Sequence, residues 1–454
     1  MKGFSAVILA AGAGTRMKSG LPKVVHKLSG KSLINRVIDA LLPLKPDNIV
    51  AVLGHKSEIV EKALEGLNVK IAYQKEQKGS AHALMQAQKV LKNYGGKILV
   101  LSGDVPLIKT ATLAALLKNN NKNGEAVTVL GATVENPFGY GRVIRVGEHF
   151  EKIVEEKDAM PEEKAVKEIN GGIYCFDKNV WKALSKIKPN NAKKEYYLTD
   201  AVEILKKGGK KAGFVLAGDA YEVKGINSRA ELVQAGQYLN DKKIKELLDN
   251  GVSFISADNV YISYDAKIGQ DSIIYPGVFI DSNVEIGKNC VIKGSSYIVN
   301  SKISDDSEIS YSYVNGAVIG KDAHIGPFTH IRPGSVLKDG VKVGNFSETK
   351  KSVIEKNSKV NHLSYIGDAF VGRDVNIGAG TITCNYDGVK KHVTVIGAKS
   401  FVGSNVNFVA PVKVGKGVLV AAGSTITKDI PSGALAIARA RQELKRRKRT
   451  TVSS

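Results

Sequence analysis

The stretch "IGQDSIIYPGVFIDSNVEIGKNCVI", residues 268–292, repeats an isoleucine at every sixth position. The repeating residues are Ile268, Ile274, Ile280, Ile286 and Ile292. A six-residue period is typical of a parallel β-helix, in which each short strand turns one aliphatic side chain inward. Glycine follows the isoleucine in "IGQD" and "IGKN", and a small residue there permits the tight corner between strands.

The same period returns further along the chain. Its members are Ile319, Ile325 and Ile331, then Ile354, Val360 and Ile366, and finally Ile396, Val402, Phe408, Val414, Val420 and Ile426. Because three hexads make one triangular coil, residues 252–426 supply about nine or ten coils. The period is interrupted at "NFSETKKS", between Val343 and Ile354, and at "TCNYDGVKKH", from Thr383 to His392. Both interruptions are predicted to be loops on a binding face.

The first half of the chain follows another pattern. Apolar runs typical of buried strands occupy residues 4–10, 48–54, 69–74, 96–104 and 126–134, and segments with helical spacing lie at 32–44 and 80–94. This alternation predicts a doubly wound, Rossmann-like α/β sheet covered on both faces.

A single amphipathic helix is predicted over 228–250, with Leu232, Leu239, Leu247 and Leu248 as its apolar stripe. The predicted organisation is therefore an α/β domain at 1–227, a helical linker at 228–250, and a β-helix domain with a basic tail at 251–454.

Composition restricts the class of partner. The chain has 454 residues and a formal net charge of +22, which favours anionic partners. The basic residues are spread along the chain, except for the tail "RQELKRRKRTTVSS", so phosphorylated small molecules account for the charge as well as nucleic acid does. Phosphorylated substrates are the preferred explanation, without nucleic acid or membrane insertion.

Cysteine usage and the N-terminus bear on location. Cys175, Cys290 and Cys384 are far apart and match no metal or redox spacing, so reduced, buried thiols are expected. No apolar run approaches the length of a membrane span, and no export signal is recognised. A cytoplasmic protein is expected.

The segment "LAAGAGTRMKSGLPK", Leu9 to Lys23, follows the first predicted strand. Its glycines, Gly12 and Gly14, fit neither a P-loop nor a dinucleotide-binding motif. A turn of small residues still lets backbone N–H groups approach a phosphate, and Arg16 and Lys23 could neutralise one. An ordinary strand-to-helix turn is the alternative.

This segment resembles the signature of sugar-phosphate nucleotidyltransferases. Further matching motifs are "QKGSAHAL", "LSGDVPL", "GYGRVI", "IVEEKDA", "INGGIY" and "GINSR". With the hexapeptide half included, nearly the whole chain resembles the bifunctional N-acetylglucosamine-1-phosphate uridyltransferase/glucosamine-1-phosphate acetyltransferase family of bacterial cell-envelope synthesis. That family has a left-handed β-helix and is a homotrimer, with acetyl-transfer sites between subunits.

The resemblance implies a uridyltransferase site. The residues implied for UDP-N-acetylglucosamine are Leu9, Ala10, Ala11, Gly12, Lys23, Gln74, Gly79, Ser80, Gly141, Glu155, Asn170 and Asn227. Asp104 and Asn227 would hold Mg²⁺, with water and phosphate oxygens completing the octahedron. Arg16 and Lys23 would stabilise charge on the phosphates of UTP. Asp104 could instead cap a turn, and Asn227 could be a helix N-cap. Asp200 is expected to be structural.

The resemblance also implies an acetyltransferase site that uses acetyl-CoA. His362, in "NHLSYIGDA", would be the general base, although a surface histidine is the commoner finding in a solenoid. The residues implied for glucosamine-1-phosphate are Arg332, Lys350, Tyr365, Asn376 and Lys391. Those implied for acetyl-CoA are Ala379, Asn385, Tyr386, Ser404, Ala422 and Arg439. Tyr386 could instead pack its loop, and Arg439 could be ordinary tail charge.

The resemblance implies acetylation of glucosamine-1-phosphate followed by uridylyl transfer, which gives UDP-N-acetylglucosamine. Two other hypotheses remain open. One is a nucleotidyltransferase for a different sugar, with a β-helix that is only regulatory. The other is a non-catalytic scaffold, which the presence of Arg16, Lys23 and Asp104 disfavours.

Overall fold

Apolar runs that end in glycine or polar residues form the strands of the N-terminal part of the chain. The computed structural model describes residues 3–92, 94–147, 149–191 and 194–446, and the chain divides into two units between Gln237 and Tyr238. The basic tail from residue 447 lies outside the described residues.

The strands of the first unit are β1 Phe4–Ala10, β2 Lys27–Leu28, β3 Lys31–Ser32, β4 Asn48–Leu53, β5 Lys70–Tyr73, β6 Lys97–Ser102, β7 Val127–Thr133, β8 Arg142–Val146, β9 His149–Val154, β10 Glu168–Phe176 and β11 Ala212–Leu216. Its helices are α1 Leu33–Leu41, α2 Ser57–Leu64, α3 Ser80–Val90, α4 Thr110–Asn123, α5 Pro161–Lys164, α6 Val180–Leu184 and α7 Leu198–Lys207. A further helix, α8 Arg229–Asp249, contains the division between the units. Short 3-10 helices occupy Thr15–Met17, Lys23–Val25, Leu42–Leu44 and Ala220–Val223.

The main sheet has the order β11-β7-β10-β6-β1-β4-β5. Alternate side chains of β1 enter opposite cores, since Ala6 and Ile8 belong to one buried cluster and Val7 to another. The predicted doubly wound sheet is therefore confirmed: helices cover both faces.

One central strand departs from the predicted parallel pattern. Strand β10 runs antiparallel to both β6 and β7, and the hairpin β8–β9 extends the sheet from it. Its polar residue Asn170 and the pair Gly171 and Gly172 sit at a register shift, so the sequence lacks the continuous apolar run that marks the other strands.

Helix α8 differs from the prediction in two residues of its apolar stripe. Its buried apolar residues are Ala235, Leu239, Ile244 and Leu247, whereas Leu232 is only partly buried and Leu248 is half exposed. Leu248 was assigned to the stripe wrongly because it lies about 100° around the helix from Leu247.

The second unit is a left-handed parallel β-helix of hexapeptide repeats with three faces. Within the described residues, the first face has eleven strands: Ser253–Phe254, Ile273–Ile274, Val291–Lys293, Glu308–Ser310, His324–Ile325, Lys342–Val343, Lys359–Val360, Asn376–Ile377, Phe401–Val402, Leu419–Val420 and Leu435–Ala436. The second face has ten: Tyr261–Ile262, Phe279–Ile280, Tyr297–Val299, Tyr313–Asn315, His330–Ile331, Glu348–Lys350, Tyr365–Gly367, Ile382–Cys384, Asn407–Val409 and Thr425–Ile426. The third has nine: Lys267–Ile268, Glu285–Ile286, Lys302–Ile303, Val318–Ile319, Val336–Leu337, Val353–Ile354, Ala369–Val371, Thr394–Ile396 and Val412–Val414.

The hexapeptide positions are the core of this unit. Every residue of the predicted repeat is buried, and corresponding residues of successive coils pair in register, as Ile274 pairs with Ile292. Many corner residues adopt a left-handed backbone, most often asparagine, aspartate or glycine, which tolerate that conformation.

The two interruptions of the repeat have different outcomes. "NFSETKKS" is not a loop: Glu348–Lys350 continues the second face, and Thr349 takes the inward position. The buried Thr349 hydroxyl donates to Ser335 Oγ at 3.1 Å, so a polar residue fits where an aliphatic one was expected. "TCNYDGVKKH" does leave the coil, as predicted, between Cys384 and Thr394.

Two further observations concern the expected class of protein. Cys175 and Cys290 are buried, but Cys384 is exposed on the second face, so the expectation of three buried thiols was wrong. In the described part of the chain, no helix has both the length and the apolar character that a bilayer crossing requires.

Candidate active sites

A cavity of roughly 340 Å³ opens at the carboxyl ends of β1, β5 and β6. Ligands of α/β sheets bind at such an edge. Among the residues that line it are nine that the sequence pointed to: Leu9, Ala10, Ala11, Gly12, Lys23, Gln74, Gly79, Ser80 and Asp104. The sequence reasoning missed Val24, Gln77, Ala83, Ser102 and Glu195, which also line it.

Two glycines give this cavity its shape. Gly14 has φ +62°, and a Cβ there would lie 2.7 Å from the Cβ of Lys23. Gly79 has φ +105°, and a Cβ there would lie 2.6 Å from the carbonyl oxygen of Tyr196. Any larger residue at Gly14 would therefore push Lys23 away from the turn, and one at Gly79 would push back the chain at Tyr196.

The ammonium of Lys23 joins two side chains that are distant in sequence. Its Nζ contacts Oδ2 of Asp104 and donates to Oδ1 of Asn227 at 2.9 Å. The hydroxyl of Ser102 donates to Oδ1 of Asp104 at 2.5 Å. Both carboxylate oxygens of Asp104 are thus engaged by side chains, unlike those of a residue that caps a turn.

Asn227 is not the N-cap of α8. The Ser228 hydroxyl accepts from the backbone N–H of Glu231 at 3.2 Å, and the Glu231 carboxylate accepts from the N–H of Ser228 at 3.0 Å. This reciprocal pair satisfies the helix terminus. The side-chain oxygen of Asn227 is therefore directed to Lys23, and the alternative interpretation of Asn227 was wrong.

These groups fit a small hard cation. Asp104 and Asn227 each direct one oxygen at the same ammonium. Mg²⁺ binds proteins through one or two such oxygens and takes its other ligands from water and phosphate. The described residues contain no cluster of three or more metal-ligating carboxylate, histidine or cysteine side chains, so a site with only these two protein oxygens is the one that the geometry offers.

Three other implied residues lie together near β8–β10. The N–H of Asn170 donates to the carbonyl of Gly141 at 2.8 Å, and a Cβ on Gly141 would lie 3.5 Å from Oε2 of Glu155. They are not part of the lining of the 340 Å³ cavity. Arg16 is exposed in the 3-10 helix Thr15–Met17 and is also absent from that lining.

The β-helix brings lysines together beside the loop that leaves the coil. The neighbouring ammonium of Lys350 lowers the pKa of Lys391. Nζ of Lys350 lies 4.0 Å from Oδ2 of Asp368, which also accepts from Nδ2 of Asn385 at 2.5 Å. The amide of Asn385 is 3.4 Å from the hydroxyl of Tyr365. Two ammonium groups this close favour an anion between them.

Arg332 and Asn376 are arranged differently. Arg332 lies on the second face beside Lys350 and pairs with Glu348 at 2.7 Å. Asn376 is on the first face, between Lys359 and Phe401, and the structure does not place it among the residues around Lys350 within one chain.

His362 belongs to a column of residues at the corner between the first and second faces, which we call the corner column. In five successive coils the second residue after the first-face strand is, in order, Asn345, His362, Ala379, Ser404 and Ala422. Backbone hydrogen bonds of 2.7–3.2 Å join the neighbouring corners. Three residues implied for acetyl-CoA thus line up with the implied base.

The remaining residues implied for acetyl-CoA are divided between two places. Nη1 of Arg439 donates to the carbonyl of Ala422 at 2.7 Å, at the end of the corner column. Asn385 and Tyr386 lie in the loop beside Lys391, where the Tyr386 hydroxyl donates to the carbonyl of Gly388 at 2.6 Å. Tyr386 therefore packs its loop in this structure, which was the alternative interpretation.

Asn345 and Glu348 were missed by the sequence reasoning, which noted Asp368 beside His362 but gave it no role. Both lie within the motif "NFSETKK". The spacing of the coils could have identified Asn345, because it is 17 residues before His362, one coil earlier.

Comparison with known proteins gives concordant results. Residues 5–222 match the nucleotidyl transferase family, residues 256–347 the GMPPB C-terminal domain family, and residues 394–428 the bacterial transferase hexapeptide (six repeats) family. The chain is 46% identical over 438 residues to the bifunctional protein GlmU of Carboxydothermus hydrogenoformans, covering 96% of this chain and 98% of that protein. It is 49% identical over 439 residues to that of Caldicellulosiruptor saccharolyticus, covering 96% and 95%. With that of Acetivibrio thermocellus it shares 45% identity over 447 residues, covering 98% and 97%.

Asp200, in the first turn of α7, provides a test of the electrostatics of the first unit. Burial raises its pKa to about 6, and the carboxylates of Glu203, Glu155 and Asp158 add to the increase. Since the folded-state pKa lies above the ordinary value, ionisation of Asp200 destabilises the fold progressively as the pH rises from about 4 through about 6.

We therefore expect Asp200→Asn to raise the free energy of unfolding by about 1 kcal/mol at pH 8, a value reduced for solvent screening, and by much less at pH 4. Fluorescence of Trp181, the only tryptophan of the chain, reports denaturant unfolding of this unit. Glu58→Gln, in the exposed first turn of α2, is the matched control. Equal effects of both substitutions at both pH values would contradict the prediction.

Proposed function

This chain belongs to the GlmU family of bifunctional proteins, and we infer from that membership and from its two sites that it makes UDP-N-acetylglucosamine. It transfers the acetyl group of acetyl-CoA to glucosamine-1-phosphate and then the uridylyl group of UTP to N-acetylglucosamine-1-phosphate. The observation that carries this inference is that two separate clusters of candidate residues are present. Lys23 meets Asp104 and Asn227 in one unit, and Lys350 neighbours Lys391 in the other, which also contains His362.

In the uridylyl-transfer site, the backbone of Leu9 to Gly12 approaches the nucleotide. Gln74, Gly79 and Ser80 hold the uridine, and Gly141, Glu155 and Asn170 hold the N-acetylglucosamine. An oxygen of the sugar phosphate attacks the α-phosphorus of UTP, the new P–O bond forms, and the bond to the β-phosphate breaks. Pyrophosphate carries away the electron pair, and protein groups need only position and stabilise charge.

Asp104 and Asn227 hold the magnesium ion in this proposal. When bound, Mg²⁺ supplies positive charge to the phosphate oxygens. Lys23 must then release Asp104 and Asn227, because its ammonium lies between them. The freed ammonium moves to the phosphates, and the exposed Arg16 adds a second cation from the same turn.

In the acetyl-transfer site, Arg332, Lys350 and Lys391 bind the phosphate of glucosamine-1-phosphate. Tyr365 and Asn376 position the sugar. The amine nitrogen attacks the thioester carbonyl while His362 removes its proton. The C–S bond then breaks, and the leaving sulfur takes that proton from the imidazolium, so CoA departs as the thiol. The binding site for acetyl-CoA comprises Ala379, Asn385, Tyr386, Ser404, Ala422 and Arg439.

The corner column supports this placement of acetyl-CoA. Ala379, Ser404 and Ala422 follow His362 in successive coils and have short side chains, so an extended pantetheine arm can lie along them. Arg439, at the end of the column, supplies a guanidinium for the phosphates of CoA.

An exposed apolar ridge beside the corner column supports a homotrimer. We define the ridge as Tyr311, Phe328, Phe346 and Leu363, which are 50%, 57%, 60% and 63% exposed. All four have φ between +46° and +57°, where a bulky residue is strained by about 1–2 kcal/mol. The strained backbone and the exposed apolar side chains of the ridge together favour its burial against neighbouring subunits. Because His362 precedes Leu363, the acetyl-transfer site would lie at that interface.

Cytoplasmic location follows from the substrates. UTP and acetyl-CoA are made and used inside the cell, and the three cysteines are free thiols. In bacteria, UDP-N-acetylglucosamine supplies cell-wall and lipopolysaccharide synthesis, as the family resemblance implies.

The two-step reaction can be tested in one tube. We expect purified protein given glucosamine-1-phosphate, acetyl-CoA, UTP and Mg²⁺ to release both CoA thiol and pyrophosphate, with pyrophosphate dependent on acetyl-CoA. His362→Ala should abolish thiol release, yet still release pyrophosphate from supplied N-acetylglucosamine-1-phosphate, because the sites are separate. If the wild type released pyrophosphate but no CoA thiol, the β-helix would have only a regulatory role. If a folded His362→Ala variant lost both activities, the two sites would not be separate.

Metal binding can be tested without turnover. We expect Lys23→Ala to bind Mn²⁺, a paramagnetic substitute for Mg²⁺, about tenfold more tightly in the absence of nucleotide, because no ammonium competes for Asp104 and Asn227. Free Mn²⁺ measured by electron paramagnetic resonance gives the affinity. The control Asn227→Ala removes an oxygen and should weaken binding. Unchanged affinity in Lys23→Ala would show that the ammonium and the metal occupy different places.

The proposed role of the ridge in subunit association can be tested by measuring the oligomeric state. Asparagine tolerates the left-handed backbone, so Phe346→Asn removes the apolar side chain while relieving strain. We expect light scattering to show a trimer for the wild type. The Phe346→Asn trimer should dissociate at a protein concentration at least tenfold higher than the wild-type trimer does, and acetyl transfer should be lost as it dissociates. Asn357→Asp, at another corner, is the control. A monomeric wild type with full acetyl transfer would refute the proposal.

A further inference from the structure

Asn345 makes a side-chain contact with the proposed general base. It occupies the position of His362 in the preceding coil, and its Oδ1 lies 3.0 Å from Nδ1 of His362. The N–H of Leu363 donates to the backbone carbonyl of Asn345 at 3.1 Å, which joins the two corners. The contact therefore rests on the register of the β-helix, and a shift of one residue would abolish it.

The contact selects one protonation pattern of the imidazole. An amide oxygen accepts but cannot donate, so Nδ1 of His362 carries the hydrogen. In the neutral ring the lone pair then remains on Nε2. That nitrogen is the one free to accept a proton from a substrate amine.

We propose that Asn345 is a positioning residue for acetyl transfer, which holds His362 with the proton on Nδ1 so that Nε2 is the base. This inference rests on the proposed function of His362. Asn345 acts only through the imidazole and has no role assigned in binding either substrate.

The surroundings of His362 make the orienting contact necessary. His362 is exposed, whereas Asn345 is half buried. The other hydrogen bonds of His362 within the described chain are to its backbone carbonyl, from Ser364 Oγ at 2.8 Å and from the N–H of Gly380 at 3.2 Å. They fix the backbone but leave the ring free to turn about its side-chain bonds, and Asn345 restricts that rotation.

The neutrality of Asn345 matters as well. Charged groups on the strands that adjoin the corner are Lys342 and Lys359 of the first face, and Glu348 and Lys350 of the second, with Asp368 beyond them. A carboxylate at position 345 would stabilise the imidazolium and raise the pKa of His362. The amide orients the ring without adding a negative charge beside it.

Two substitutions distinguish positioning from a structural role. We expect Asn345→Ala to lower kcat of acetyl transfer about tenfold or more while the KM for glucosamine-1-phosphate changes less than twofold, because the ring is present but disoriented. Asn345→Asp keeps the acceptor, so it should restore most of kcat at high pH. The acidic limb of its pH profile should move upward by about one pH unit, since the carboxylate favours imidazolium.

A direct readout of the tautomer accompanies the kinetics. In ¹⁵N-histidine-labelled protein, His362 of the wild type should show a protonated Nδ1 and an unprotonated Nε2, and Asn345→Ala should show a mixture of the two forms. Asn315→Ala, at a half-buried asparagine of an earlier coil, is the matched control and should leave kcat and the spectrum unchanged. Uridylyl transfer measured on each sample verifies that the chain is folded.

The outcomes separate this inference from the proposed function. Absence of acetyl transfer in the wild type, or normal transfer in His362→Ala, would refute the role of His362 itself. If His362→Ala is inactive but both Asn345 variants match the wild type in kcat and pH profile, the positioning role is overturned. Should Asn345→Ala fail to fold, a pH profile of Asn345→Asp that coincides with that of the wild type overturns it.

Discussion

The stacking of one inward aliphatic side chain per hexad determines the geometry of the second unit. Ile274, Ile292 and Ile309 lie in register on successive coils, and each is buried. This register repeats every corner as well as every core position. Residues 17 to 25 apart in sequence therefore become neighbours along a column, and Asn345 meets His362 for this reason. No local sequence motif corresponds to such a column, because its residues become neighbours only when the coils stack.

Much of this architecture could be predicted from the sequence because the constraint is strict. Most inward positions require an apolar residue, so the period remains visible through coils whose outward residues vary. The parallel strands of the first unit were visible for a similar reason, since burial on both faces leaves a continuous apolar run. Strand β10 was not predicted, because its glycines and Asn170 belong to a register shift that only its neighbours in the sheet explain. "NFSETKKS" was misinterpreted because the buried Thr349 satisfies its hydroxyl locally through Ser335.

The sites could be predicted less completely than the fold. The glycine turn after the first strand identified Lys23, whereas Asp104 was identified only through the family resemblance. Both line one cavity, because the carboxyl ends of parallel strands share an edge. The partnership of Lys23 with Asn227 spans 204 residues, and no local pattern encodes it. Asn227 precedes a helix and looked like a cap, and only the reciprocal pair of Ser228 and Glu231 shows that its amide is available for another purpose.

Both sites hold their cations against carboxylates before any phosphate is bound. Lys23 pairs with Asp104, Arg332 with Glu348, and Lys350 lies near Asp368. An unpaired cation in a partly buried site would be destabilising, so the partner carboxylate stabilises the free enzyme. A phosphate that bound at these cations would have to compete with that carboxylate, which would weaken binding of ligands that offer less charge or poorer geometry. Lys391 differs, because the neighbouring ammonium of Lys350 lowers its pKa and the charge of Asp368 acts only as a smaller, opposing cause. A phosphate bound beside the two ammonium groups would relieve their mutual repulsion, which favours an anionic ligand at this place.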